Sequence, residues 1–161
     1  KTDTGLTLNA RCVHYGLPLI QQLLQVAAYD PSFIPQKPQN LLKRRYFRKS
    51  DVPGNGYLNW NKTAEDIDAF VRACDYFPFP SAWGYPKTSN GTAEIAIAKT
   101  SVSRNLCISA PGTVCYFEEK AAVATKGSWL IIDRCYANGK YTSPQELLKN
   151  GQKLGGYWTN S

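Results

Sequence analysis

The segment Tyr57-Leu-Asn-Trp60-Asn-Lys-Thr63-Ala-Glu-Asp-Ile67-Asp-Ala-Phe70-Val71-Arg72-Ala-Cys74-Asp-Tyr-Phe-Pro78-Phe-Pro80 constrains the fold more than any other part of the chain. It sets a strand-like run, a capped amphipathic helix and a proline stop in that order. Thr63 suits an N-cap, because its hydroxyl can accept from the orphan N–H groups of the first turn. Glu65 and Asp66 then put negative charge at the positive end of the helix dipole. Ile67, Phe70, Val71 and Cys74 recur at the spacing that lines one helical face. Pro78 and Pro80 lack an N–H and fix φ, so the helix must end before them. One apolar face on so short a helix needs a second layer to cover it.

Downstream runs supply that layer. Glu94-Ile-Ala-Ile-Ala98 alternates, Thr113-Val-Cys-Tyr-Phe117 and Ala121-Ala-Val-Ala-Thr125 are β-compatible, and the run from Trp129 to Tyr136 is a longer half-buried strand. Pro111-Gly112 and Asn138-Gly139 are turn pairs, and neither belongs to a phosphate-binding loop, because the long glycine pattern with its Lys-Ser/Thr ending is missing. Ser143-Pro144-Gln145-Glu146 has capping-box residues with proline at the first helical position, and Gly151 can stop a helix of about two turns. Short strands at close spacing plus two helices predict an α+β, mainly β domain over residues 57–161, a small closed barrel of the oligonucleotide-binding type.

The rest of the chain divides in two. Residues 1–30 carry Val13, Leu17, Ile20, Leu23, Leu24 and Ala27 on one helical face, with an interruption expected at Gly16 and Pro18. That stripe needs a partner, either another domain or the barrel itself. Residues 31–56 open on Pro31, Pro35 and Pro38 and close on Val52-Pro53-Gly54-Asn55-Gly56, which is linker chemistry. Residues 37–62 hold Lys37, Lys43, Arg44, Arg45, Arg48, Lys49 and Lys62 against Asp51, a net +6 of the chain's formal +7. The basic character is therefore local.

A hydrophobic content of 43% over 161 residues is enough for a core. No apolar run reaches the roughly 18 residues of a membrane span, and Lys1-Thr-Asp-Thr-Gly5 lacks the charged-then-apolar order of a signal peptide. The five cysteines are odd in number and contain no Cys-x-x-Cys pair. They read as small buried hydrophobes in a reducing, cytoplasmic setting, with disulfides or metal ligation as the alternative. The sequons at Asn61 and Asn90 are then incidental.

The order of these motifs resembles the C-terminal part of the folate-dependent formyltransferases, methionyl-tRNA formyltransferases in particular. The segment from Tyr57 to Pro80 is similar to the start of that family's C-terminal domain. Upstream, Asp3-Thr4-Gly5-Leu6-Thr7-Leu8 with Gly16 and Leu23-Leu24 resembles the tail of its catalytic domain, and Pro35-Gln36-Lys37-Pro38-Gln39 the run before its linker. Downstream, Ala110-Pro111-Gly112-Thr113-Val114, Val123-Ala124-Thr125-Lys126-Gly127, Gly139-Lys140 and Ser143-Pro144-Gln145-Glu146-Leu147-Leu148 sit in the order of its barrel. Nearly the whole chain is covered. The resemblance implies a helical tail of a Rossmann-like catalytic domain at 1–30, a basic linker at 31–56 and a C-terminal barrel at 57–161. It also implies transfer of a formyl group from 10-formyltetrahydrofolate to a primary amine, the donor being bound by the N-terminal catalytic domain and not by this chain.

In that family the catalytic Asn, His and Asp precede every segment quoted, so no catalytic residue is expected here and the chain alone should be inactive. Asp3 lies in an Asp-Thr-Gly context like the catalytic Asp, but the following Leu-Thr-Leu matches the later, non-catalytic copy; a turn or capping role is expected. His14, the single histidine, has no matched nucleophile or carboxylate beside it and is assigned no chemistry. Arg72 is expected to pair with a carboxylate or helix-end carbonyls.

The candidate acceptor- or nucleic-acid-binding residues are Lys43, Arg44, Arg45, Tyr46, Arg48, Lys49 and Trp83. Clustered cations neutralise phosphates and release counterions, while Tyr46 and Phe47 can stack on exposed bases. A solvated basic loop is the bland alternative. The resemblance implies a positive surface for initiator tRNA on the linker and barrel. Where those enzymes usually have a Pro-Gly-Ala turn, this chain has Pro80-Ser-Ala-Trp83-Gly-Tyr85-Pro86-Lys-Thr88, a rigid loop whose aromatics pack across the barrel mouth or meet a ligand. Formyltransferases of sugar nucleotides or natural-product amines, and a non-catalytic nucleic-acid-binding module, therefore stay as alternatives. The expected partners are the N-terminal catalytic domain and tRNA or a small amine, with no metal and no membrane.

Overall fold

Local capping decides where the two longer helices begin in the computed structural model, which describes residues 2–48, 51–79, 84–91 and 93–155. Helix α1, Gly5–Tyr29, starts at Thr4, where Thr4 and Thr7 side chains accept from each other's backbone N–H groups. It runs unbroken through Gly16 and Pro18, which corrects the expected interruption. Pro18 removes the bond its N–H would give to His14, but that turn is exposed and water can satisfy the carbonyl. No residue of α1 is buried; Leu17, Ile20 and Leu24 all face solvent. The chain then passes through short turns at Pro31–Phe33, Leu41–Lys43 and Pro53–Gly56. Helix α2, Ala64–Ala73, begins at Thr63, which accepts from the Asp66 N–H at 3.2 Å, and it buries Ala64, Ile67 and Val71.

Six antiparallel strands follow: β1 Lys87–Ser89, β2 Glu94–Leu106, β3 Val114–Phe117, β4 Lys120–Ala124, β5 Ser128–Ala137 and β6 Lys140–Thr142. Their order is β1-β2-β5-β4-β3, with β6 added to β5. Register shifts in β2, between Ile97 and Thr100 and between Val102 and Leu106, bend the sheet around α2. The α+β, mainly β expectation is met. The closed barrel is not, because β1 and β3 do not pair and the sheet stays open. A C-terminal segment lies across that gap as isolated bridges. Ser89 and Gly155 exchange hydrogen bonds of 3.1 and 2.7 Å, and on the other side Leu154 donates to Gly112 and Val114 to the Gln152 carbonyl, both at 2.8 Å.

The core joins Leu58, Trp60 and the inner face of α2 to Ile97, Val114, Val123, Leu130, Ile132, Leu148 and Leu154. Trp60 donates its indole N–H to Thr88 at 3.0 Å, and Thr88 donates onward to the Gly155 carbonyl at 2.8 Å. Burial of these polar atoms is thereby compensated, and no buried side-chain N or O among the described residues lacks a partner.

Other expectations need revision. Helix α3, Pro144–Leu147, is a single turn, and Ser143 gives no cap bond; its hydroxyl donates to the Gln145 side chain, which in turn donates to the Glu119 carbonyl. Only Cys135 among the cysteines is buried; Cys74, Cys107 and Cys115 are half-buried and Cys12 is exposed, since α1 has no layer above it. All five are free thiols. Burial pushes the Cys135 thiol up to about 12 and raises Cys74, which keeps both protonated near neutral pH. No helix among the described residues is long and apolar enough to cross a membrane.

Candidate nucleic-acid interface

The basic linker is held as short turns and extended backbone. Asn40 caps the turn that carries Lys43 by accepting from the Leu42 N–H at 3.0 Å, and Asp51 accepts the Arg48 N–H at 2.7 Å. Lys43, Arg44, Arg45 and Arg48 are exposed, and none forms an ion pair with a described residue. Tyr46 and Phe47 stand between them with 79% and 73% of their surface open to solvent. Aromatic rings that exposed, spaced among unpaired cations, have the chemistry of a stacking platform on a phosphate-tracking strip. Lys49 and Trp83, the remaining predicted residues, lie outside the described residues.

Sequence reasoning missed two cations that the fold brings to the end of this strip. The Lys126 N–H donates to the Lys62 carbonyl at 3.0 Å, bringing the loop between β4 and β5 against the segment before α2. Lys153, on the segment that lies across the open edges, shares a cavity of about 520 Å³ with Gly54, Tyr57, Asn59, Trp60 and Asn61. Asn59, Asn61 and Lys153 are exposed there, and Lys62 and Lys126 are exposed as well. Lys126 and Lys153 follow Lys62 by 64 and 91 residues, and no local pattern flags either of them.

A second cluster settles the role of Tyr85. It is buried, its hydroxyl lies 2.6 Å from that of Tyr141, and its ring packs at 5.2 Å on Tyr136. Burial, first, and the Tyr141 hydroxyl push the Tyr85 phenol well above its ordinary value, so it stays a neutral packed group. Beside it the Arg134 guanidinium carbon sits 4.4 Å from the centre of the Phe77 ring and 4.9 Å from that of Tyr141. Tyr85 and Tyr141 thus pack against each other at this edge of the sheet.

Arg72 does what its position predicts. It donates to the Asp68 carboxylate through Nε and to the Asp3 carbonyl through Nη1, both at 2.7 Å. The cap of α1 is Thr4 and not Asp3, whose carboxylate accepts from the Thr7 hydroxyl at 3.2 Å and pairs with Arg11 at 2.9 Å. His14 is exposed, with its ring edge-on to that of Tyr15 at 5.1 Å. Among the described residues no three metal-ligating side chains gather.

An open antiparallel sheet wrapped on one short helix thus follows a cationic strap whose exposed chemistry suits binding. The family model described as formyl transferase, C-terminal domain, matches residues 52–153, from the end of the strap through α2 and all six strands. The chain belongs to that formyl transferase family. No curated protein matches it.

Proposed function

We propose that these residues are the acceptor-positioning part of an N-formyltransferase, which moves a formyl group from 10-formyltetrahydrofolate to a primary amine, with methionyl-tRNA as the acceptor. Family membership supports the formyl-transfer assignment. The acceptor rests on one observation: the unpaired Lys43, Arg44, Arg45 and Arg48 around exposed Tyr46 and Phe47, with Lys62, Lys126 and Lys153 exposed as well. A single-stranded tRNA end offers the matching chemistry of phosphates and unstacked bases. A sugar nucleotide offers only a diphosphate, fewer charges than this surface can neutralise.

In this proposal residues 1–30 belong to a Rossmann-like catalytic domain, 31–56 form the basic linker, and 57–161 make the C-terminal domain. The catalytic domain binds the donor and carries the Asn, His and Asp that handle the oxyanion and the proton. These 161 residues bind and orient, and by themselves they transfer no formyl group. Free thiols at all five cysteines fit a reducing, cytoplasmic setting.

Equilibrium binding of tRNA by the native chain and by the Lys43→Ala, Arg44→Ala, Arg45→Ala, Arg48→Ala variant tests the reading. Loss of four phosphate contacts should weaken binding at least about tenfold and lower the salt slope by roughly one per contact. An unchanged affinity removes the linker from the acceptor site. Binding of an amino sugar nucleotide without binding of tRNA favours the small-amine alternative.

A further inference from the structure

Helix α1 meets α2 through its first turns, while its far end meets the short turn Pro31–Phe33, where the Tyr29 and Phe33 rings stack at 6.2 Å. No residue of it is buried, and between its first turns and α2 a crevice of about 530 Å³ stays open, lined by Leu8, Cys12, Ala69 and Tyr76 among others. What holds the helix is polar. The Leu6 N–H donates to the Asp75 carbonyl at 3.2 Å, and Gly5 sits so close to α2 that an added Cβ would stand 2.5 Å from the Ala73 carbonyl oxygen. Arg72 completes the joint with its two bonds, and Asp68 is itself fixed by the Thr100 hydroxyl of β2 at 2.8 Å. A continuous chain of bonds thus runs from the sheet, through Thr100, Asp68 and Arg72, to the main chain of Asp3. The Arg72 and Asp68 side chains are 27% and 14% exposed, so the pair is shielded from much of the solvent that weakens surface ion pairs.

We infer that Arg72 is a positioning residue that fixes the angle at which α1 leaves the sheet and, through it, the place of the basic strap. The strap runs from the far end of α1 back to the sheet, so it is held at two points, one of which moves with the helix. A 25-residue helix is about 37 Å long, and a tilt of about 10° at the joint displaces its far end by about 6 Å. That is the scale of the spacing between successive phosphates. The consequence for the acceptor rests on the proposed function; the joint itself does not.

The test measures geometry within this chain and so stands whether or not tRNA binds. Spin labels go on Gln21→Cys in α1 and Lys140→Cys in β6, in a chain whose Cys12, Cys74, Cys107 and Cys115 are replaced by serine, and the label distance is read by pulsed electron resonance. Arg72→Lys keeps a charge beside Asp68, but a single ammonium lacks the fork that spans both acceptors; the distribution should broaden at least about twofold. The melting temperature of the sheet should stay within about 3 °C of the parent. Gly5→Val, which forces the joint apart from the α1 side without touching the core, should broaden it likewise. Unaltered distributions in both variants overturn the inference. So does a large fall in melting temperature for Arg72→Lys with no broadening in Gly5→Val, since Arg72 would then serve the sheet alone.

Discussion

At the scale of single residues, the turn at Pro111-Gly112 shows how much of a residue's role is local. That a turn sits there is plain from the pair itself, because glycine supplies a positive φ at little cost. Why only glycine fits is a long-range matter: its φ is +87°, and an added Cβ would lie 2.5 Å from the Leu154 carbonyl oxygen, across the gap that the C-terminal segment fills. Gly112→Ala should therefore destabilise the fold by about 2–4 kcal/mol in urea unfolding, combining backbone strain with a lost fit. Gly139→Ala has a similar φ of +77° but meets nothing within 4 Å, so it should cost about 1–2 kcal/mol. Equal losses at the two sites would mean that the closure against Leu154 contributes nothing. Arg72 divides in the same way: its pairing follows from an Asp68 one turn earlier, while its bond to Asp3, 69 residues away, does not.

At the scale of elements, legibility follows how much of the signal is internal. Helix α2 carries its own cap, apolar face and stop, and its observed bounds Ala64–Ala73 agree with the pattern. Thr63→Ala, which removes only the cap bond to Asp66, should cost about 1 kcal/mol in the same unfolding measurement; no loss would show that α2 is held by packing alone. Strands β1 and β6 have three residues each and exist because β2 and β5 pair with them, so nothing in Lys87–Ser89 or Lys140–Thr142 announces a strand. The outer half of β2 hides behind Lys99 and Arg104, which face out where the sheet bends. Helix α1 went the other way: Pro18 argues for a break, and exposure of the turn around it permits continuity.

At the scale of the molecule, charge was the legible quantity and its arrangement was not. The strap declares itself by seven cations against one acid over residues 37–62. The extension of that patch to Lys126 and Lys153 depends on a backbone bond to Lys62 and on the segment that crosses the open sheet, both products of tertiary structure. On the proposed function, this assembled surface grips the phosphates of a tRNA acceptor. The slope of log K against log salt for tRNA binding by the native chain reports that grip, because each neutralised phosphate releases counterions. Four to six contacts predict a slope of about −3 to −5, steep enough that binding fades between roughly 50 and 200 mM salt. A slope flatter than about −1, or no binding at the lower salt, would show that this surface does not hold tRNA phosphates.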